Sequence, residues 1–187
     1  MIECLSPDGS DAATFLLRTL VDKLGRQGLL MVIDPDGEFY PPAVQALGLS
    51  LDRLIVVRPG SPAETLWALE QSLRCPGAGV VLSWLGEQPP AIERRLQLAA
   101  ETGGSLGFLL RPLTLRSRPC WADLRLGVTP LPAHSLQTRR WRLELLRSRG
   151  GLSVPTAAEL EWDDEAGALS LAPGMVPAAR LACAAGA

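Results

Sequence analysis

Short apolar runs rich in branched residues recur along the first 110 positions: MIECL at 1–5, LLMVID at 29–34, RLIVV at 53–57, GVVLSW at 79–84 and LGFLL at 106–110. Each is short enough to be a strand buried on both faces of a sheet. Between them the apolar positions fall at helical spacing. Leu17, Leu20, Val21 and Leu24 make one stripe, with Asp22 and Arg26 paired four apart on the far side and Gly25 near the end. Ser61-Pro62-Ala63-Glu64 is a capping box with proline at the first helical position, and it opens a helix that buries Leu66, Leu69 and Leu73. Trp67 and Trp84 fall in the same core pattern. A third helix carries Ile92, Leu96 and Ala99 and stops at Gly103-Gly104. Strands and helices alternating in this way predict an α/β fold with a mostly parallel central sheet flanked by helices.

After residue 112 the period shortens to two. ADLRLGV (122–128) and RRWRLELLR (139–147) alternate, and AELEWDDEAGALSLA (158–172) reads as a hairpin turning at 164–167. The sheet is therefore expected to end in antiparallel strands. From residue 173 the chain is Ala, Gly and Pro with few side chains to pack, which divides it into one core domain (1–172) and a flexible tail (173–187). With 187 residues and 47% apolar content, one core is what the chain can bury.

Composition narrows the function classes. A net charge of -2 gives no overall attraction to nucleic acid or anionic lipid, so such contacts would need a local patch. Cys4, Cys75, Cys120 and Cys183 are far apart, and His134 is the single histidine, so neither a metal site nor a disulfide framework is expected. Reduced thiols, no apolar run of the ~18 residues that a span needs and no secretory pattern at the start point to a cytoplasmic protein without membrane contact.

The stretch SPDGSDAAT (6–14) lies between the first strand and the first helix, where a phosphate-binding loop G-x-x-x-x-G-K-[ST] would sit. On that pattern Ser6 stands at the first glycine, Asp11 at the second, Ala12 at the lysine and Ala13 at the hydroxyl residue. Losing the lysine forfeits roughly 1.5–3 kcal/mol, and Asp11 adds a negative charge beside the anion's place. Helix-terminus attraction for anions, about 0.3–1 kcal/mol in exposed sites, cannot offset both. No useful ATP binding and no cofactor are expected; Ser10 or Asp11 would simply cap the helix.

IECLSPDGSDAATFLLRTL, IDPDGEFYPPAVQALGLSLDRLIVVRP, ETLWALEQSLRCPGAGVVLSWL and RRLQLAAETGGSLGFLLRP together resemble the core of the RecA recombinase, and more closely the ImuA family of RecA-like mutasome accessory proteins. RRWRLELLRSRGG followed by the LEWDD hairpin is also similar to ImuA, and the resemblance spans roughly 1–172. It implies a RecA-like core that has lost catalysis. Asp36 falls where the recombinase has its water-activating glutamate, Leu82 replaces a Mg²⁺-supporting aspartate, and Arg111 stands where a glutamine would sense the γ-phosphate. LGEQPP (85–90) is too short to replace the recombinase's first DNA-binding loop, and with the first strand opening the sequence, filament formation through an N-terminal helix is not expected.

The implied function is a non-catalytic adaptor, a pseudo-ATPase, in SOS-induced damage tolerance. It would support error-prone translesion synthesis by binding an inactive Y-family polymerase homologue of the ImuB type, with RecA as a second candidate partner and direct DNA contact left open. The alternative is a division inhibitor of the SulA family, also RecA-like without a phosphate loop, which would bind the tubulin-like division protein.

Between residues 111 and 149 there are nine arginines against Asp123 and Glu144. Strand alternation puts Trp141, Leu143 and Leu145 on one face and Arg140, Arg142 and Glu144 on the other. The expected partner or DNA surface is an arginine-rich edge of Arg139, Arg140, Arg142, Arg147 and Arg149 with Trp141 as anchor, joined by Arg116 and Arg118 of the 111–121 loop. A solvated strand face, or internal pairing with the acidic ELEWDDE at 159–165, is the plainer alternative. Gly103 to Gly107 matches a nucleophile-elbow motif at Ser105 but runs helix–turn–strand, the wrong order for that chemistry.

Overall fold

The computed structural model describes residues 1–7, 10–20, 24, 28–150 and 157–171, with the side chains of residues 10 and 11 excepted. One nine-stranded sheet forms the frame. Its strands, in chain order, are β1 (Ile2–Ser6), β2 (Leu29–Ile33), β3 (Leu54–Val57), β4 (Ala78–Trp84), β5 (Leu106–Pro112), β6 (Leu124–Leu131), β7 (Thr138–Ser148), β8 (Ala157–Asp163) and β9 (Ala168–Leu171). In space they lie in the order β3-β2-β4-β5-β1-β6-β7-β8-β9. The first six in that order are parallel and the remaining pairings antiparallel, as the change of period predicts.

Helices α1 (Ser10–Leu20) and α2 (Pro41–Ala46) cover one face, and α3 (Pro62–Arg74) and α4 (Pro90–Gly103) the other. The first face buries Ala12, Phe15, Leu16, Val32, Val44 and Leu82; the second buries Ile33, Leu69, Leu73, Val81, Leu96 and Leu109. Burial of apolar surface on both sides is what a parallel sheet requires. The short helix α2 has no counterpart in the sequence reading, since its six residues are too few to show a period.

Helix ends follow local chemistry. Ser61 caps α3 by accepting from the Glu64 amide, while Glu64 reaches one residue further back than a standard capping box and accepts from the Gly60 amide at 2.8 Å. α4 ends at Gly104, in the left-handed region at φ 69°, as its glycine pair predicts. Gly103 lets α4 come against the C-terminal turn of α3, where a Cβ would overlap the Leu73 carbonyl. The stop at Gly25, the Asp22/Arg26 pair and the tail from 172 onward lie outside the described residues.

Trp67 departs from expectation: it is 65% exposed. The buried stripe of α3 runs through Thr65, Ala68, Leu69 and Leu73. Two residues from Leu69 is about 200° around the helix, which turns Trp67 outward. Trp84 does pack, edge-on against Phe39 with centroids 6.5 Å apart.

Under α4 the sheet carries charge instead of hydrocarbon. Glu3 of β1, Arg111 of β5, Arg125 of β6 and Glu93 of α4 are each 4% exposed or less. Arg111 Nη1 donates to Glu3 and Glu93 at 2.7 Å each, and Arg111 Nη2 donates to the Gly86 carbonyl at 3.0 Å. Arg125 Nε donates to the other Glu3 oxygen at 2.7 Å. Burial alone would disfavour the charged form of Arg111, but Glu93 and Glu3 outweigh it and hold its pKa above the ordinary arginine value. Removing one member leaves a buried charge uncompensated, so Arg111→Met is expected to cost about 3–5 kcal/mol in urea denaturation. Arg118→Ala, at an exposed site, should change stability by no more than about 0.5 kcal/mol.

Candidate functional site

Two concave regions stand out among the described residues. The first, of about 510 Å³, lies at the carboxyl ends of the parallel strands, where open α/β sheets hold their ligands. Pro7, Asp36, Pro59, Leu66, Trp84 and Arg111 line it. Asp36 presents a carboxylate, and the guanidinium of Arg111 is committed to Glu3, Glu93 and Gly86. Arg111 is thus part of the core and not of a surface loop. Of the loop positions read as degenerate, Ser6 is buried at the end of β1, and Ala12 and Ala13 pack into the core. The Asp11 side chain and residues 8 and 9 lie outside the described residues. Leu82, fully buried, has no charge to offer a metal.

The second region is a groove of about 520 Å³ lined by Pro90, Arg118, Pro119, Cys120, Trp121, Arg147 and Arg149. Three separate segments build it: the N-terminus of α4, the connection from β5 to β6, and the end of β7. The connection begins with a 3-10 turn at Leu113–Leu115, and Arg125 holds it down by donating to the carbonyls of Leu115, Arg116 and Arg118. Arg147 donates to the Cys120 carbonyl and lies 3.2 Å from its sulfur. Arg94, one turn into α4, stacks on Trp121 with its guanidinium carbon 4.7 Å from the ring centroid. Glu87 faces Arg118 at 3.2 Å, and Asp123 faces Arg149 at 3.5 Å.

The arginines expected to form one edge are divided. β7 is an interior strand, paired to β6 and β8, so it offers no open edge. Arg139 and Arg140 lie at its start, facing Asp164 at 3.8 Å and Glu159 at 3.0 Å respectively, so the acidic hairpin does pair with them internally. Arg142 is exposed in mid-strand, and Arg116 is tied to Glu144 at 2.7 Å. Only Arg118, Arg147 and Arg149 of the expected set line the groove. Trp141 is 2% exposed and packs on Phe15 at 5.5 Å, so it is a core residue and not a partner anchor.

A bulge makes the division. Arg125 pairs with Arg147 but Leu126 with Leu145, so Leu146 is an extra residue in β7. Simple alternation would send Arg147 to the Trp141 face; the extra residue sends it to the Glu144 face, beside Cys120. Arg94 was not among the expected site residues, and Trp121 closes the expected 111–121 loop without having been singled out. They are 27 positions apart, and no local pattern joins them.

The sequence model of the family described as "Cell division inhibitor SulA" matches residues 5–107. The chain belongs to the SulA family. SulA of Klebsiella aerogenes is 34% identical over 106 residues, covering 56% of this chain and 63% of its own. Protein ImuA of Caulobacter vibrioides is 33% identical over 153 residues, covering 74% of this chain and 62% of its own. The aligned stretches therefore span less than two thirds of either relative. The crystal structure of SulA from Pseudomonas aeruginosa superposes with a TM-score of 0.50 at 22% identity, over 59% of this chain and 97% of that one, and shows the shared RecA-like fold. The SulA family match ends inside β5, so β6 to β9 and most of the groove lie beyond it. No helix among the described residues is long and apolar enough to cross a membrane, and no cluster of potential metal ligands is found among them.

The cysteines give a direct check on this packing. Burial pushes the Cys4 thiol up to about 12, with the neighbouring Glu3 charge adding to it. Cys75 is half-buried at the end of α3. At neutral to mildly alkaline pH a maleimide should label Cys75 and leave Cys4 unmodified until the chain is unfolded, read by peptide mass spectrometry.

Proposed function

We propose that the chain is a non-catalytic RecA-fold adaptor in damage tolerance, supporting translesion synthesis by binding an inactive Y-family polymerase homologue of the ImuB type. The observation that carries this reading is the reach of the two similarities. Likeness to ImuA extends over 74% of the chain, whereas that to SulA of Klebsiella stops at 56%. The additional antiparallel strands, with the groove they complete, are where an adaptor of the ImuA kind would differ from a division inhibitor. The lining of the cavity at the strand ends supports the non-catalytic reading: it presents a carboxylate, which repels a polyphosphate, and a guanidinium whose terminal nitrogens are already held by Glu3, Glu93 and the Gly86 carbonyl. Cytoplasmic action follows from that reading.

A division inhibitor is the second reading, favoured by the SulA family match over residues 5–107. Its partner would be the tubulin-like division protein. Controlled expression separates the two. An adaptor supplied to a strain lacking its own copy should restore damage-induced mutation frequency without lengthening the cells; a division inhibitor should make filaments and leave mutation frequency unchanged. In either case calorimetric titration with ATP and Mg²⁺ should give no heat of binding, and saturable binding with hydrolysis would overturn the pseudo-ATPase reading.

A further inference from the structure

We propose that the groove between α4, the 116–121 segment and the end of β7 docks an acidic peptide segment of a protein partner. A bulky apolar side chain of that segment would sit between Pro119 and Trp121, with carboxylates against Arg118 and Arg149. The proposal deepens the adaptor reading and rests on it for the partner's role alone; the chemistry comes from the groove itself.

Its walls and its rim ask for different things. Pro90, Pro119 and the Trp121 ring give an apolar floor, and Arg94 stacked on that ring fixes its orientation. The rim is cationic. Arg118 is 63% exposed and Arg149 49%, so both heads reach solvent. What they hold now is informative: each faces one carboxylate of the chain itself, Glu87 or Asp123, at 3.2 and 3.5 Å. Exposed pairs of this kind are weak and exchange partners readily, so a partner's carboxylates can take the places that Glu87 and Asp123 mark. An aromatic or aliphatic anchor in an apolar pocket, ringed by charge that sets orientation and on-rate, is the usual anatomy of such a contact.

Other occupants fit less well. A nucleic-acid strand needs a continuous basic track, but Arg139 and Arg140 are at the far end of β7 from Arg147 and Arg149. Arg116, between the two groups, is neutralised by Glu144. The chain's own 172–187 segment carries Arg180 and no acidic residue, so it lacks the charge to fill the groove. A second copy would have to bring the acidic β8–β9 turn, whose Asp164 is shared by Arg18 and Arg139.

The test uses the full chain, immobilised for selection from a random phage-displayed peptide library, followed by anisotropy titration of the selected peptides as fluorescein conjugates. Selected peptides should combine two or more Asp or Glu with Trp, Phe or Leu, and binding should weaken as salt is raised. The R118E/R149E double variant should lose about tenfold or more in affinity, each rim charge contributing a few-fold. Both sites are exposed, and an unchanged urea midpoint would show that the variant is folded. Trp121→Ala should weaken binding without removing the salt dependence.

Selected peptides with no acidic bias, or undiminished by R118E/R149E, would overturn the proposal. So would preferential binding of a dT oligonucleotide, or self-association in sedimentation, lost in that variant. If peptides bind as expected while the purified polymerase homologue is not captured even by the wild-type chain, the groove stands and the adaptor reading falls. Capture of the homologue that R118E/R149E leaves unchanged preserves the adaptor and removes the groove as its docking site.

Discussion

The side chain of Glu3 sets the geometry of this molecule. It lies in the fifth strand across the sheet, between β5 and β6, with both of its oxygens engaged by arginines from those neighbours. A carboxylate so deeply buried persists only with full compensation. That demand ties together three adjacent strands, and Glu93 adds a helix to them by sharing Arg111. The two arginines and two glutamates balance in charge, so the cluster can sit under α4 on a face otherwise packed with aliphatic residues such as Ile33, Val81 and Leu109. It contributes position more than net stability, because its desolvation offsets much of its Coulombic attraction.

Two functional consequences run outward from that cluster in opposite directions. Toward the carboxyl ends of the strands, both terminal nitrogens of Arg111 are held by Glu3, Glu93 and the Gly86 carbonyl. Toward the antiparallel half, Arg125 reaches past Glu3 to the carbonyls of the β5–β6 connection and fixes the turn from which Arg118, Cys120 and Trp121 project. The same buried ion system thus borders one concavity and shapes the other. In the adaptor reading that is a coherent exchange: a rigid centre with its interaction surface displaced to the flank.

The sheet was legible because its signals are local. Runs of branched residues, the Ser61 cap, the Gly103-Gly104 stop and the change from long to short period each lie within a few positions, and each found its element. What could not be read depends on partners distant in sequence. Arg111 was legible only as standing where a glutamine would sense a γ-phosphate, because nothing near residue 111 announces Glu3, which is 108 positions away. Trp141 alternates correctly with the arginines, yet alternation does not say that Phe15 of α1 lies above it. Trp67 failed for a nearer reason: leucine spacing defines a stripe, but a tryptophan two positions off that stripe belongs to the opposite side of the helix.

The β7 bulge shows how little is needed to move a surface. One extra residue, Leu146, reverses the faces of everything after it, so Arg147 leaves the side that carries Trp141 and anchors Cys120 instead. With Leu146 paired in regular alternation instead of bulged, Arg147 would point toward the α1 side of the sheet, and the groove would lose both a wall and the contact that holds the Cys120 backbone. The arginine run in the sequence is therefore not one basic surface but two, separated by a register shift. Arg139 and Arg140 of the first group face carboxylates of the hairpin that follows them, and the second group is directed to the groove. In the docking proposal it is the second that meets a partner from outside the chain.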